Sequence, residues 1–347
     1  MKKTLIALAA LAATGAFAQV TVYGRMDAGY GVYTTTTPGA TAGSTVDTKS
    51  NGVQSKNSVS SLLGIKGSED LGGGLKANFV LEGNLDPAVG AAYSFDRTSL
   101  LGLSGGFGSV AFGRDYVPTF KLTVVGEVNG FSKLTTIQNP GPTSVSNLVF
   151  YSTPVMSGFQ VNVAYGNNDT SKSTDTTGET SNKTTNLTAT YNNGPLMVGV
   201  GTGTNEVKTA GSAGGTYMLG QTTLTGIDKT SFNVVAASYD FGKFALKGAW
   251  TSTKATYATG EAKFDELNIG ATVPMGKATL IAQVGNNKVS NTGAAEDWTG
   301  TDFVVGVDYA LSAKTALYAK TGTVGKLSGN GNEYKTVGTA VGIKTVF

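Results

Sequence analysis

The residues able to do chemistry in this chain are few, and the usual reactive types are missing. None of its 347 residues is Cys or His. That removes thiolate and imidazole metal sites, disulfides, and the imidazole base of a Ser-His-Asp triad. Gly102-Leu103-Ser104-Gly105-Gly106 has the G-x-S-x-G spacing of a nucleophile elbow. With no histidine to take the serine proton, it reads instead as a tight turn. Gly72-Gly73-Gly74-Leu75-Lys76 lacks the G-K-[ST] ending of a phosphate loop and is also read as a turn. The neighbouring carboxylates Glu69 and Asp70 fall among the same turn residues. No catalytic residue, cofactor site or metal ligand set is expected. What remains is scattered charge: 26 Lys and Arg against 23 Asp and Glu, a net +3. Without a strong basic patch, a nucleic-acid partner is not expected.

The elements that position these charges are readable from composition and period. Gly makes up 49 of 347 residues, about twice the usual share, while charged residues reach only 14% against an ordinary quarter. Residues 1–18, MKKTLIALAALAATGAFA, have a Lys2-Lys3 n-region, a short apolar run and an Ala-Phe-Ala end. This is the pattern of a secretory signal peptide, cleaved after Ala18. Its loss leaves 24 basic against 23 acidic residues.

From Gln19 onward the chain alternates with period two. Val20, Val22, Met26, Ala28, Tyr30 and Val32 interleave with Thr21, Tyr23, Arg25, Asp27 and Tyr33. The same alternation recurs in Leu75–Leu81, Phe159–Tyr165, Leu187–Tyr191, Phe303–Tyr309 and Val337–Phe347. Such strands bury one face and wet the other. Short turns are expected at Glu69–Gly74, Ser104–Gly108, Pro154–Gly158, Asn192–Pro195, Asp240–Lys243, Pro274–Lys277 and Leu311–Lys314. Longer Thr-, Ser-, Gly- and Asn-rich segments lie between them, such as Thr34–Lys56, Val207–Lys229 and Gly325–Tyr334. Seven short and eight long connections join sixteen strands. Strands of roughly ten residues suit a tilted crossing of a bilayer. The expected fold is all-β: one domain over 19–347, a 16-stranded antiparallel transmembrane β-barrel with short periplasmic turns and long extracellular loops. A soluble sandwich also alternates, but closure into a barrel satisfies every backbone group in lipid.

SLLGIKGSEDLGGGLKANFVLEGNLD over Ser61–Asp86 and FDRTSLLGLSGGFGSVAFGRDY over Phe95–Tyr116 resemble the general diffusion porins of Gram-negative outer membranes, of the β-proteobacterial type. The opening VTVYGRMDAGYGV and the terminal Phe347 fit the same family. The resemblance implies a homotrimer in the outer membrane, in contact with the lipid bilayer and lipopolysaccharide. It also implies a third loop, 116–147, folded into the pore, and a terminal Phe347 that signals to the outer-membrane assembly machinery. On this loop Phe120, Leu122, Val124, Phe131 and Leu134 offer apolar anchors. Arg97 and Arg114 match wall arginines of the pattern, Glu127 matches its loop acid, and Lys66 is placed on the lumen face by alternation. Asp115, Lys121 and Lys133 are secondary candidates. The pattern's further arginines are absent at Leu62 and Thr143–Ser146.

The function so implied is passive diffusion of small hydrophilic solutes and ions, with charge at the narrowing biasing which ions pass. Arg97, Arg114 and Lys66 favour anions, while Glu127 and lumen-facing Asp302 or Asp308 favour cations, so a weak, slightly anionic preference is expected. A substrate-specific channel, a surface adhesin barrel and a barrel-borne enzyme are the alternatives. Lack of histidine counts against the last.

Overall fold

The computed structural model describes residues 20–41, 43–90, 92–138, 143–170, 180–209, 215–219, 222–257, 260–291 and 297–347. The expected signal peptide, residues 1–18, lies outside them. The first half of the chain forms β1 (Thr21–Pro38), β2 (Thr45–Ser55), β3 (Leu62–Gly72), β4 (Leu75–Asn84), β5 (Thr98–Gly105), β6 (Gly108–Tyr116), β7 (Ser144–Ser152), β8 (Phe159–Thr170) and β9 (Thr180–Asn193). The second half forms β10 (Leu196–Thr209), β11 (Gly215–Leu219), β12 (Thr222–Asp240), β13 (Ala245–Tyr257), β14 (Gly260–Met275), β15 (Ala278–Asn291), β16 (Trp298–Ala310), β17 (Thr315–Gly329) and β18 (Asn332–Val346).

These eighteen segments make a closed antiparallel barrel of sixteen strands. β2 and β3 are two pieces of one barrel strand. β1 pairs with β2 from Ala28↔Ser55 outward and with β3 from Arg25↔Leu62 inward. β11 prolongs β10 by pairing with the far end of β12. Closure comes from β18 on β1, in register from Arg25↔Val346 to Thr36↔Lys335. Phe347 adds a last pair of backbone bonds with Gly24, at 3.0 and 3.1 Å.

Side-chain direction decides what surrounds the barrel. On β1, Val22, Tyr30 and Val32 point out and are 60%, 51% and 49% exposed, while Asp27 points in and is fully buried. On β14, Leu267 and Ile269 face outward between buried Phe264, Glu266 and Asn268. This is the reverse of a solvated sheet and suits a wall bathed in lipid. Aromatic rings gather beside the short turns: Tyr239, Phe241 and Phe244 stack in sequence near the β12–β13 turn, and Phe159 meets Tyr191 at 4.5 Å. Such rings suit the membrane–water boundary. Among the described residues no helix is long and apolar enough to cross a membrane.

All seven short connections occur where the sequence puts them. The turn between β3 and β4 needs Gly73 and Gly74, which take φ of +61° and +81°. The long polar segments differ from expectation, because most of their length is hairpin rather than loop. β17 and β18 stay paired to Gly329↔Asn332, and β1 and β2 to Pro38↔Thr45. Runs of β-branched threonine favour extended backbone, and opposed pairs such as Thr35 and Thr336 share hydroxyl hydrogen bonds across the ladder (3.1 Å).

Candidate functional site

Residues 117–138, which follow β6, turn into the barrel instead of continuing the wall. Pro118 opens a short helix, α1 (Pro118–Thr123), and a 3-10 turn over Val124–Gly126 follows. Apolar residues seat the segment against the wall. Leu122 packs with Phe232, Val234, Ala236 and Ala249, and Leu134 with Tyr33, Val304, Tyr318, Val324 and Ala340. Polar ties then fix its height. The Thr119 N–H donates to Asn186 (2.8 Å), Val128 N–H to Gln283 (3.2 Å), Thr136 Oγ1 to Asn268 (2.6 Å) and Gln138 N–H to Glu266 (3.0 Å). Close contact is possible because Gly199 and Gly270 carry no side chain where Leu122 and Val128 press in. The segment therefore lies along β9, β10 and β12–β18 and reaches Tyr33 on the outer part of β1. Of the expected anchors, Phe120, Leu122 and Leu134 are buried, and Val124 and Phe131 are partly so; Val117 and Ile137 are buried anchors that the sequence reading missed.

The opposite wall carries the basic residues. Arg97 pairs with Glu82 (2.7 Å), donates to Asn84 (2.9 Å) and stacks 5.2 Å from the Tyr116 ring centre. Glu82 also accepts from Tyr23 (2.9 Å), and the Lys66 ammonium sits over that tyrosine ring at 5.2 Å. Arg97 and Lys66 thus belong to one connected row. Arg114 donates to the Asp96 carbonyl and to Ser146 and Ser144 (2.7 and 2.9 Å). The serines where the family pattern has a further arginine are therefore what hold Arg114.

Arg25 and Lys56 join this wall and were not singled out from sequence. Arg25 donates from Nε to the Ser60 carbonyl (2.7 Å). Lys56 lies in the six-residue break between β2 and β3, where burial and then the nearby Arg97 lower its ammonium pKa. The break is held by Asp27, which accepts from the N–H groups of Ser58 (2.6 Å) and Val59 (2.7 Å) and from the Tyr318 hydroxyl (2.6 Å). Arg25 was visible on the polar face of the first alternating run. Lys56 gave no signal beyond ending a polar segment.

The acids are placed otherwise than expected. Glu127 does not face the lumen water: it is 5% exposed and ties its own segment together. It accepts from the Asn129 N–H (2.6 Å) and the Thr135 hydroxyl, and burial pushes its carboxyl pKa up. A lone carboxylate turned to the lumen would forgo both bonds. Asp302 is fully buried and accepts from Gly325 N–H (3.0 Å), Lys326 N–H (2.8 Å) and Asn287 (2.9 Å). Asp308 lies 2.6 Å from Lys344 and 3.9 Å from Lys320. Asp115 is held by Thr98 (2.9 Å) and Lys121 (2.5 Å). Lys121 and Lys133 remain exposed on the inward segment, Lys133 reaching Gln54 and lying 5.5 Å from the Tyr33 ring centre. The lumen thus shows accessible cations on both of its sides and acids that are already engaged.

A family model described as Gram-negative porin matches residues 4–326. Outer membrane porin protein 32 of Delftia acidovorans is 32% identical over 293 residues, which cover 80% of this chain and 77% of that protein. Major outer membrane protein P.IB of Neisseria meningitidis serogroup B is 32% identical over 176 residues, about half of each chain. Among solved structures, an anion-selective porin from Comamonas acidovorans superposes with a TM-score of 0.76 at 24% identity, over 95% of this chain and all of that one. The outer membrane protein OmpT of Vibrio cholerae in its trimer form superposes with a TM-score of 0.67 at 18% identity, over 95% and 99%.

Proposed function

The chain belongs to the Gram-negative porin family, and from that premise we propose how its lumen selects what passes. It is an outer-membrane porin, a water-filled channel for passive diffusion of small hydrophilic solutes. The family and fold are those of channels rather than enzymes. The narrowing lies between the inward segment and the wall that bears Arg97 and Arg114. Solutes are sorted first by size and then by charge. The observation that carries this reading is the asymmetry of engagement. Glu127, Asp115 and Asp302 spend their charge on nearby donors, Asp115 taking Lys121 with it, while Arg25, Arg114 and Lys133 have no carboxylate partner among the described residues. The preference is for anions, and it is modest because Arg97 is paired with Glu82.

The working unit is a homotrimer in contact with lipid and lipopolysaccharide. Residues 1–18 direct export and are removed. Phe347 is read by the assembly machinery, in keeping with its place as the last rung of the closing strand pair. The test is reconstitution of the processed protein in planar bilayers. Current steps arriving in threes, with a reversal potential of anionic sign across a salt gradient, are expected. Heat-modifiable, folded protein that gives no steps refutes the channel, and a cationic reversal potential refutes the selectivity.

A further inference from the structure

We propose that the short-turn mouth of the lumen holds a binding station for small doubly charged anions, built by Arg25, Lys277, Lys314, Lys320 and Lys344. It rests on the channel reading and adds a second place where a passing anion pauses. A recess of about 450 Å³ lies beneath Val128–Gly130 of the inward segment and is lined by these five cations and one carboxylate, Asp308. Asp308 is already shared, 2.6 Å from Lys344 and 3.9 Å from Lys320. Among the described residues Arg25, Lys277 and Lys314 form no ion pair. Arg25 is anchored through Nε to the Ser60 carbonyl (2.7 Å), which leaves its outer amino groups for a ligand.

The placement follows from the fold. Lys277 and Lys314 sit in the β14–β15 and β16–β17 turns, and Lys344 near the end of β18. Two hairpin turns and the C-terminal end of β18 thus bring lysines to one rim, and β1 supplies Arg25 beside them. Ser58, Thr279, Ser312 and Thr315 add hydroxyls to the same lining. Five cations against one carboxylate attract an ion in proportion to its charge, so a dianion gains about twice what chloride gains. The volume takes a small dianion with part of its water shell. A macromolecule does not fit beneath the inward segment. Ligands of this chemistry are phosphate monoesters, short dicarboxylates and sulfate.

The probe is sulfate, which stays doubly charged at every working pH. Chloride current through the full processed barrel is recorded while sulfate is raised at constant ionic strength. A saturable fall in current is expected. Lys277→Gln with Lys314→Gln should raise the half-effect concentration about tenfold, since two of the five cations are lost. Arg114→Gln, on the far wall, should change it less than twofold. Both lysines are exposed turn residues, and heat-modifiable migration checks that the double variant has folded. Current that is indifferent to sulfate, or a double variant that responds as the parent does, overturns the station while leaving the channel intact. An Arg114→Gln effect as large as that of the double variant places the binding at the inward segment and also overturns it. Folded protein with no current at all removes the channel and the station together.

Discussion

Glu127→Gln should loosen the inward segment while leaving the ion preference nearly where it is. The carboxylate is 5% exposed, and its two oxygens accept from the Asn129 N–H and the Thr135 hydroxyl. Hydrogen bonds to a charged group are worth about 1.5–3 kcal/mol and neutral ones about 1. The amide keeps one acceptor oxygen, so the local cost is roughly 1–3 kcal/mol. That is enough to make excursions of the segment about ten times more frequent. The effect on selectivity is small because Lys320, whose ammonium donates to the Asn129 carbonyl (3.3 Å), offsets the Glu127 charge from close by. A lumen-facing charge behaves differently. At ~8 Å from a passing ion in water its interaction is about 0.5 kcal/mol, which changes a permeability ratio about twofold. Across a tenfold salt gradient that corresponds to a shift on the order of 20 mV, reduced further by screening. The assay is single-channel recording of Glu127→Gln, Arg114→Gln and the parent. Glu127→Gln should show noisier open current and a reversal potential within ~5 mV of the parent, and Arg114→Gln a clearly larger shift toward cations, at most ~20 mV. Thr135→Val should add little noise on top of Glu127→Gln, because both remove the same bond. A quiet Glu127→Gln channel whose reversal potential moves as far as that of Arg114→Gln refutes the placement of this acid.

Three further outcomes follow from the packing. Leu134→Ala empties a fully buried site shared with Tyr33, Val304 and Tyr318 and should cost about 2–5 kcal/mol. Its readout is a larger unit conductance, and an unchanged conductance counts against the anchoring role. Asp27→Ala leaves the Ser58 and Val59 N–H groups and the Tyr318 hydroxyl without their acceptor, a loss of roughly 3–6 kcal/mol, visible as a lower urea midpoint in lipid vesicles. Ile269→Arg puts a charge on the outward face of β14, where Ile269 is 55% exposed, and should cost about 2–4 kcal/mol if that position meets the bilayer midplane. The same variant assayed in detergent serves as its control, and equal stability in lipid and parent contradicts a lipid-facing wall.

The architecture was legible because a barrel wall obeys a local rule. Each strand alternates, six of the seven short connections carry their own glycine or proline, and neither signal depends on distant residues. Alternation could not say which face met lipid, since Val22–Val32 opposite Tyr23–Tyr33 reads the same in a sandwich. The structure resolves this by the exposure of Val22 and Val32 beside the full burial of Asp27. The long segments were misjudged in conformation for a related reason. Polar threonine runs such as Thr34–Thr37 look like loops by hydropathy but are extended by their β-branching, and pairing with the neighbouring strands β2 and β18 then completes their hydrogen bonds.

Charge at the narrowing was less legible, because a side chain's effect depends on what neutralises it. Arg97 and Glu127 were both identified from the motif around them, yet the first is paired across strands with Glu82 and the second turns back on its own segment. Glu82 lies too far from Arg97 in sequence to announce itself, and Asn129 and Thr135, though close to Glu127, take their roles from the turn between them. Near-zero net charge suggested balance, but balance in sequence is not balance in the lumen. Acids are short and easily satisfied by backbone N–H groups, as Asp27 is by Ser58 and Val59 and Asp302 by Gly325 and Lys326. Lysine and arginine have only donors, so they need acceptors that the paired backbone of a closed sheet rarely leaves free. A barrel with nearly equal numbers of both signs therefore hides more of its acids than of its bases, and its aqueous face becomes more positive than its composition.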